Sequence, residues 1–319
     1  MKPIYYAYFA VVLNATIVGF SFLFTKIAIE EASPVEALSY RFTIAWTALT
    51  IFLILTKKKI NLSFHNGQLN FSLFALALFY PILFFSFQAF GLNFTTSAEG
   101  GIIFAFTPAL TALLAALFLK EQLTKTQYGF IFLSISGVLL ISWMSGTSLS
   151  FTKYNMIGLL FLLISSLSIS GYNVLARYLS VSFSPLQLTY IMVTFGFIFF
   201  NAYAIIQNLI LGSILNYFRL FYQNTAFFIS VLFLGILATL LTSYLANYAL
   251  SKLAASKVSV FSNFSTIISI LAGVFVLNES IFIYHIIGAV MILLGVTGTN
   301  ITRPMKAKKK DNRQKKLNV

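Results

Sequence analysis

The sequence predicts an all-α polytopic membrane protein, ten transmembrane helices arranged as two inverted five-helix repeats. Three observations carry this prediction. Of 319 residues, 59% are hydrophobic and only 9% charged, whereas a soluble domain is about one quarter charged. The apolar runs are about 20 residues long without strict alternation, which suits spanning helices rather than the shorter alternating strands of a barrel. The two halves of the chain also echo each other in sequence.

Apolar runs between polar breaks place the spans near 4–28, 35–55, 70–91, 97–119, 126–144, 155–176, 186–210, 225–249, 257–277 and 281–300. The first follows Lys2 with no small-x-small cleavage site, so it reads as a retained helix rather than a signal peptide. The breaks "EEASP" at 30–34 and "LNES" at 277–280 both hold charge and read as short hairpins. An even number of spans puts both termini on one face. That face carries Lys2, Lys57, Lys58, Lys59, Lys120, Lys125, Arg177, Lys252, Lys257 and the basic tail, against Lys26, Arg41, Lys153 and Arg219 on the other. The positive-inside rule then makes both termini cytoplasmic in a multi-pass protein of the cytoplasmic (inner or plasma) membrane. The organisation is a first repeat over 1–145, a linker at 146–154, a second repeat over 155–300 and a tail at 301–319.

The net charge of +14 is mostly topological, so nucleic acid is not an expected partner. The tail "KAKKKDNRQKK" reads as a solvated anchor that can also meet anionic lipid. There is no cysteine, the two histidines are His65 and His285, and the sole aspartate is Asp311 in the tail. Thiolate or histidine–carboxylate chemistry therefore has almost no ligands or nucleophiles inside the membrane, and no enzyme, metal or cofactor is expected. No phosphate-binding G-x-x-x-x-G-K-[ST] loop occurs, so any driven process would draw on a gradient.

The repeat is an ordered series of matches. Lys26 pairs with Arg177 and Ser33-Pro34 with Ser184-Pro185 at a separation of 151; Phe106 pairs with Phe264, Glu121 with Glu279 and Gly137 with Gly295 at 158. The seven extra residues fit a longer connection or helix extension around spans 7 and 8. Five spans per copy is odd, so the second copy enters the membrane from the opposite side. Inverted repeats of this kind are characteristic of secondary transporters, in which the two copies exchange conformations to alternate access.

"GFSFLFTKIAIEEASPVEALSYRF" resembles the first-helix and second-helix signature of the EamA-like group of the drug/metabolite transporter superfamily. "TSAEGGIIFAFTPALTALLAALFLKE" resembles its fourth helix, and "ASKVSVFSNFSTIISILAGVFVLNE" the same element in a second copy. The resemblance covers residues 4–300, with Val18 where the family commonly has tryptophan. It implies a central cavity lined by helices 1, 3, 4, 6, 8 and 9, and export of an amino acid or another small metabolite, proton-coupled or facilitative. More distant relatives carry nucleotide sugars or sugar phosphates. A non-transporting membrane sensor or assembly factor is the alternative from another class.

Within the spans, Asn14, Gln88, Asn173, Asn247 and Asn263 must each find a partner or face a wet cavity; together with Tyr244 they are the expected substrate pathway. Glu99 is either a capping acid near a helix start or a proton or amine site. Lys26, Arg41 and Lys257 are candidate gating or anion contacts. For the first two the plainer expectation is an ion pair with Glu30, Glu31 or Glu36, and for Lys257 snorkelling to the interface. Glu121 and Glu279 are expected to cap the next helix or to pair with a base. Pro108 should break helix 4, since proline removes a backbone donor. Gly137, Gly288, Gly295 and Gly298 let helices 5 and 10 approach a neighbour closely, either within the chain or in a homodimer of the kind the resemblance implies.

Overall fold

The computed structural model describes residues 2–58, 60, 67–118, 124–147, 153–253, 255, 258 and 261–301, and these contain helices and turns but no strand. Seven helices are long and apolar enough to cross a membrane: Tyr5–Glu31, Pro34–Thr56, Phe71–Phe94, Ser97–Phe118, Asn155–Leu179, Pro185–Ile210 and Thr225–Lys252. Three shorter apolar helices, Lys125–Ile141, Phe264–Leu277 and Ile283–Gly298, lie where the remaining expected spans fall. The fold is an all-α polytopic membrane protein.

Local sequence sets the helix starts. α1 (Lys2–Glu31) runs into α2 (Pro34–Thr56) through two residues. There Ser33 and Glu36 form a reciprocal capping box, with Pro34 at the first helical turn, where its missing N–H costs nothing. α9 (Pro185–Ile210) begins identically with Ser184, Pro185 and Gln187, so the repeat seen in the sequence is a repeated cap. The third apolar helix consists of α3 (Gly67–Ala77), a π-helical turn (Leu78–Leu83) and α4 (Phe84–Phe94). Pro81 sits inside the turn, and Tyr80 has non-helical dihedrals. A second π-helical segment, Phe233–Leu241, lies between α11 (Thr225–Leu232) and α12 (Thr242–Lys252) at the corresponding place in the second half. The extra residues of that half accommodate α10 (Ile214–Gln223), a short helix with one polar face, whose Tyr217 backbone carbonyl accepts a hydrogen bond from Tyr40.

The next apolar helix is broken at Ala105–Phe106, dividing α5 (Ser97–Phe104) from α6 (Thr107–Phe118). Pro108 occupies the first turn of α6 rather than a helix interior, so its absent N–H leaves no gap in a hydrogen-bond ladder. In the second half α13 (Ser262–Leu277) starts after a turn at Phe261.

α7 (Lys125–Thr147) and α14 (Ile283–Ile301) pack on each other along their length, and α8 (Lys153–Leu179) packs on α4 and α6. The α7–α14 approach needs glycine: a Cβ on Gly137 would lie 2.7 Å from the Gly288 carbonyl, and one on Gly295 2.5 Å from the Phe130 carbonyl. The small-residue faces expected for close approach therefore cover each other within one chain. Phe132, Leu139, Trp143, Ile286, Val290 and Leu294 are left on the exposed surface of the pair. The main core cluster draws on both halves, from Phe22, Phe42 and Phe85 to Phe200, Phe227 and Ile292.

Candidate substrate cavity

A cavity of about 90 Å³ lies among the helices, bounded by α1, α2, the first π-helical turn, α4, α5, α6, α8, the second π-helical segment, α12 and α13. That is room for several waters, hence for a molecule of a few heavy atoms. Apolar surface dominates its walls (Val11, Val18, Phe84, Phe104, Ile169), with polar groups inserted at Asn14, Arg41, Gln88, Thr107, Asn173 and Ser243. Mostly apolar walls with a few convergent polar groups are the usual make-up of a small-molecule site.

Among the described residues, Arg41 is the single charged one in that lining. It is 1% exposed, held on three sides. Its Nε donates to Thr239 Oγ1 and its Nη2 to the Ala238 carbonyl at 2.9 Å, both in the second π-helical segment. Its guanidinium carbon lies 4.1 Å from the centre of the Phe85 ring. No carboxylate faces it among the described residues, so the expected ion pair with Glu30, Glu31 or Glu36 is not what forms. Geometry explains why: Arg41 points inward from two turns inside α2, whereas Glu36 is occupied as the capping acid on Ser33. Gln88, 3% exposed, and Asn173, 8% exposed, make no hydrogen bond among the described residues and line the cavity. Asn14 donates through Nδ2 to the Thr242 carbonyl at 2.8 Å, and the Thr107 hydroxyl is buried without a partner among the described residues.

Other expected pathway residues lie elsewhere. Asn247 is fully buried outside the lining: Tyr172 Oη donates to its Oδ1 at 2.8 Å, and its Nδ2 donates to Thr189 Oγ1 at 3.1 Å, tying α8, α9 and α12 together. Tyr244 is 41% exposed and stacks with Tyr248. The Asn263 side chain, Lys257 and Glu121 lie outside the described residues, as do the linker residues 148–152 and the tail beyond 301.

At the end of the bundle where α1 gives way to α2, the charged groups form clasps. Lys26 Nζ donates to the Leu92 and Thr95 carbonyls, each at 2.9 Å. These are orphan acceptors at the C-terminus of α4, where a cation is also favoured by the helix dipole. Lys26 therefore pairs with carbonyls and not with the nearby glutamates. Its counterpart Arg177 does the same at the opposite end, donating from Nη1 to the Leu250 carbonyl at 2.7 Å, the equivalent carbonyl near the end of α12.

Thr96 and Glu99 form a capping box on α5, Glu99 Oε2 accepting from the Thr96 N–H at 2.9 Å and Thr96 Oγ1 accepting from the Glu99 N–H at 3.1 Å. The other carboxylate oxygen of Glu99 is 3.5 Å from His285 Nε2, both side chains 6% exposed. His285 Nδ1 accepts the Phe282 N–H at 3.3 Å, which places the proton of a neutral imidazole on Nε2, toward Glu99.

Glu279 makes a contact the sequence did not reveal. Its two oxygens accept the N–H groups of Ser97 and Ala98 at 2.7 and 2.9 Å, so a residue from the second half caps the first turn of α5 in the first half. Asn278 takes a left-handed conformation (φ 53°), and the Glu279 N–H returns to the Gly273 carbonyl at 3.1 Å; this turn ends α13 and aims the carboxylate. The recurrence of Leu-x-Glu at the same place in both halves was the available signal, together with Thr-x-x-Glu at 96–99 as a capping box.

A helical membrane protein with a mostly apolar cavity carrying a few polar groups, built between two similar halves, has the form of a membrane transporter. The EamA-like transporter family model matches the chain twice, over residues 5–143 and 156–301. The chain belongs to the EamA-like transporter family, within the drug/metabolite transporter superfamily. It is 42% identical over 303 residues to the uncharacterized transporter YcxC of Bacillus subtilis (strain 168), covering 95% of each protein. It is 27% identical over 286 residues to an uncharacterized transporter of Archaeoglobus fulgidus, covering 89% of this chain and 95% of the relative. A solved crystal structure shares the fold with a TM-score of 0.61 at 15% identity, covering 94% of this chain and 97% of that one.

Proposed function

We propose that the protein is a secondary transporter that exports a small polar metabolite of about amino-acid size across the cytoplasmic membrane by alternating access, with both termini cytoplasmic. The observation that carries this reading is the central cavity. Helices of both halves enclose it, it is mostly apolar, and two of its polar groups without a hydrogen bond among the described residues, Gln88 and Asn173, come one from each half. Two copies of one unit around a shared site is the arrangement that lets each copy close in turn.

The size of the cavity favours a small solute over a nucleotide sugar. So does the engagement of Lys26 with helix-end carbonyls, since an anionic sugar nucleotide would call for that charge in the pathway. Glu99 is outside the cavity lining and committed to its capping box, which supports transport without a proton carried on Glu99. The test is uptake of labelled amino acids and related metabolites into inside-out membrane vesicles, with and without an imposed proton gradient, for the native chain and Glu99→Gln. Saturable uptake retained in the variant is the expected result. The absence of saturable uptake of any solute would count against transport, and gradient-stimulated uptake lost in Glu99→Gln would make Glu99 the proton carrier.

A further inference from the structure

We infer that Arg41 is the binding group for a substrate carboxylate, which makes the solute a small monocarboxylate. This rests on the transporter reading above and sharpens its substrate. The charge on Arg41 is not balanced within the cavity by any described residue. A guanidinium is always charged, and removing it from water costs several kcal/mol unless an anion and hydrogen bonds replace the solvent. Arg41 has two hydrogen bonds and a ring face, all neutral. Its remaining nitrogen, Nη1, has no hydrogen bond among the described residues, and the side chain lines the cavity.

Among the described residues, none of the acids Glu30, Glu31, Glu36, Glu99 and Glu279 lies in that lining. Glu36, Glu99 and Glu279 are occupied as caps. A carboxylate entering the cavity would be the first counter-charge Arg41 meets, in an apolar surrounding that strengthens the pairing.

The repeat separates bracing from binding. The structural contacts occur in both halves: Lys26 and Arg177 on equivalent carbonyls, Ser33–Glu36 and Ser184–Gln187 at equivalent helix starts. The place equivalent to Arg41 holds Met192, whose sulfur lies 3.6 Å from Asn247 Nδ2. Unlike those repeated contacts, Arg41 occurs once and faces the cavity.

Gln88 and Asn173 offer amide groups to the rest of the solute, and Phe84, Phe104 and Ile169 limit its bulk. With no carboxylate among the described lining residues for an ammonium group, an amino group is dispensable and a hydroxyl or carbonyl serves as well.

The test uses the purified full-length chain and thermal unfolding with matched pairs at constant ionic strength: acetate against acetamide, L-lactate against L-lactamide, L-alanine against L-alaninamide. The expected result is that at least one carboxylate raises the midpoint in a saturable way while its amide does not, with lactate at least as effective as alanine. Arg41→Lys should keep the effect in weakened form, and Arg41→Gln should weaken binding about tenfold or more, the loss expected for a hydrogen bond to a charged group. Because the paired comparison is made on the native chain, the inference remains testable if a variant fails to fold. No carboxylate outperforming its amide, or an undiminished preference in Arg41→Gln, would overturn it. Vesicle transport of a solute with no carboxylate preference would sink this inference alone; carboxylate binding without transport of any solute would sink the transporter reading alone.

Discussion

Replacing Glu279 with alanine or glutamine tests whether the two halves are clasped through the first turn of α5. In the native chain the Ser97 and Ala98 N–H groups, with no partner inside their own helix, are both satisfied by the Glu279 carboxylate at 2.7 and 2.9 Å. Ser97 is fully buried and Ala98 is 3% exposed, so water does not readily take the place of the carboxylate. Alanine leaves two buried donors unpaired, at about 1–3 kcal/mol each. Glutamine keeps one acceptor oxygen and turns an NH2 toward the other donor. It also loses the anion at a helix N-terminus, worth about 0.3–1 kcal/mol, for a total near 2–3 kcal/mol. At about 1.4 kcal/mol per tenfold, local opening should then be roughly 30- to 150-fold more frequent in Glu279→Gln, and more frequent still in Glu279→Ala. Amide hydrogen exchange resolved to Ser97 and Ala98 reads this directly. Unchanged exchange at both amides in the alanine variant would refute the clasp.

The repeated helix-end contacts predict paired effects. Lys26→Met and Arg177→Met each strip carbonyls of a charged donor and should each destabilise the chain by about 1–3 kcal/mol in chemical unfolding; a loss in only one would deny that the contacts are equivalent. Gly137→Ala places a Cβ 2.7 Å from the Gly288 carbonyl and should lower the thermal midpoint, as overpacking typically costs about 1–3 kcal/mol. A variant as stable as the native chain would mean that α7 and α14 do not approach this closely. In the cysteine-free chain, single cysteines at positions 14 and 88 should react with a small water-soluble thiol reagent, and one at position 247 should not. Equal reactivity at all three would contradict the cavity boundaries.

The class of fold was legible because hydrocarbon imposes a strong compositional rule, and helix starts such as Ser33-Pro34 and Ser184-Pro185 carry their caps locally. The polar residues were legible as a group but not individually. Asn14, Gln88, Asn173 and Asn247 read alike in a sequence, and only packing separates the two with no bonded partner from Asn247, enclosed by Tyr172 and Thr189. The charges were misread where their partner is backbone. Lys26 has three glutamates within ten residues, yet bonds carbonyls 66 and 69 residues away. Glu279 serves a helix start 182 residues distant, and no local pattern specifies which helix a capping acid will reach. Arg41 looked like a hairpin charge because linear distance from the turn hides the inward direction of a residue two helical turns further on.

In the proposed mechanism the cavity is a pathway open alternately to the two sides of the membrane. The direct measurement is a single cysteine at Gln88, in intact cells and in inside-out vesicles, treated with a membrane-impermeant thiol reagent. Labelling from both sides is expected, with reaction from each slowed by a solute that binds in the cavity. Labelling from one side only, or from neither, would contradict alternating access through this cavity.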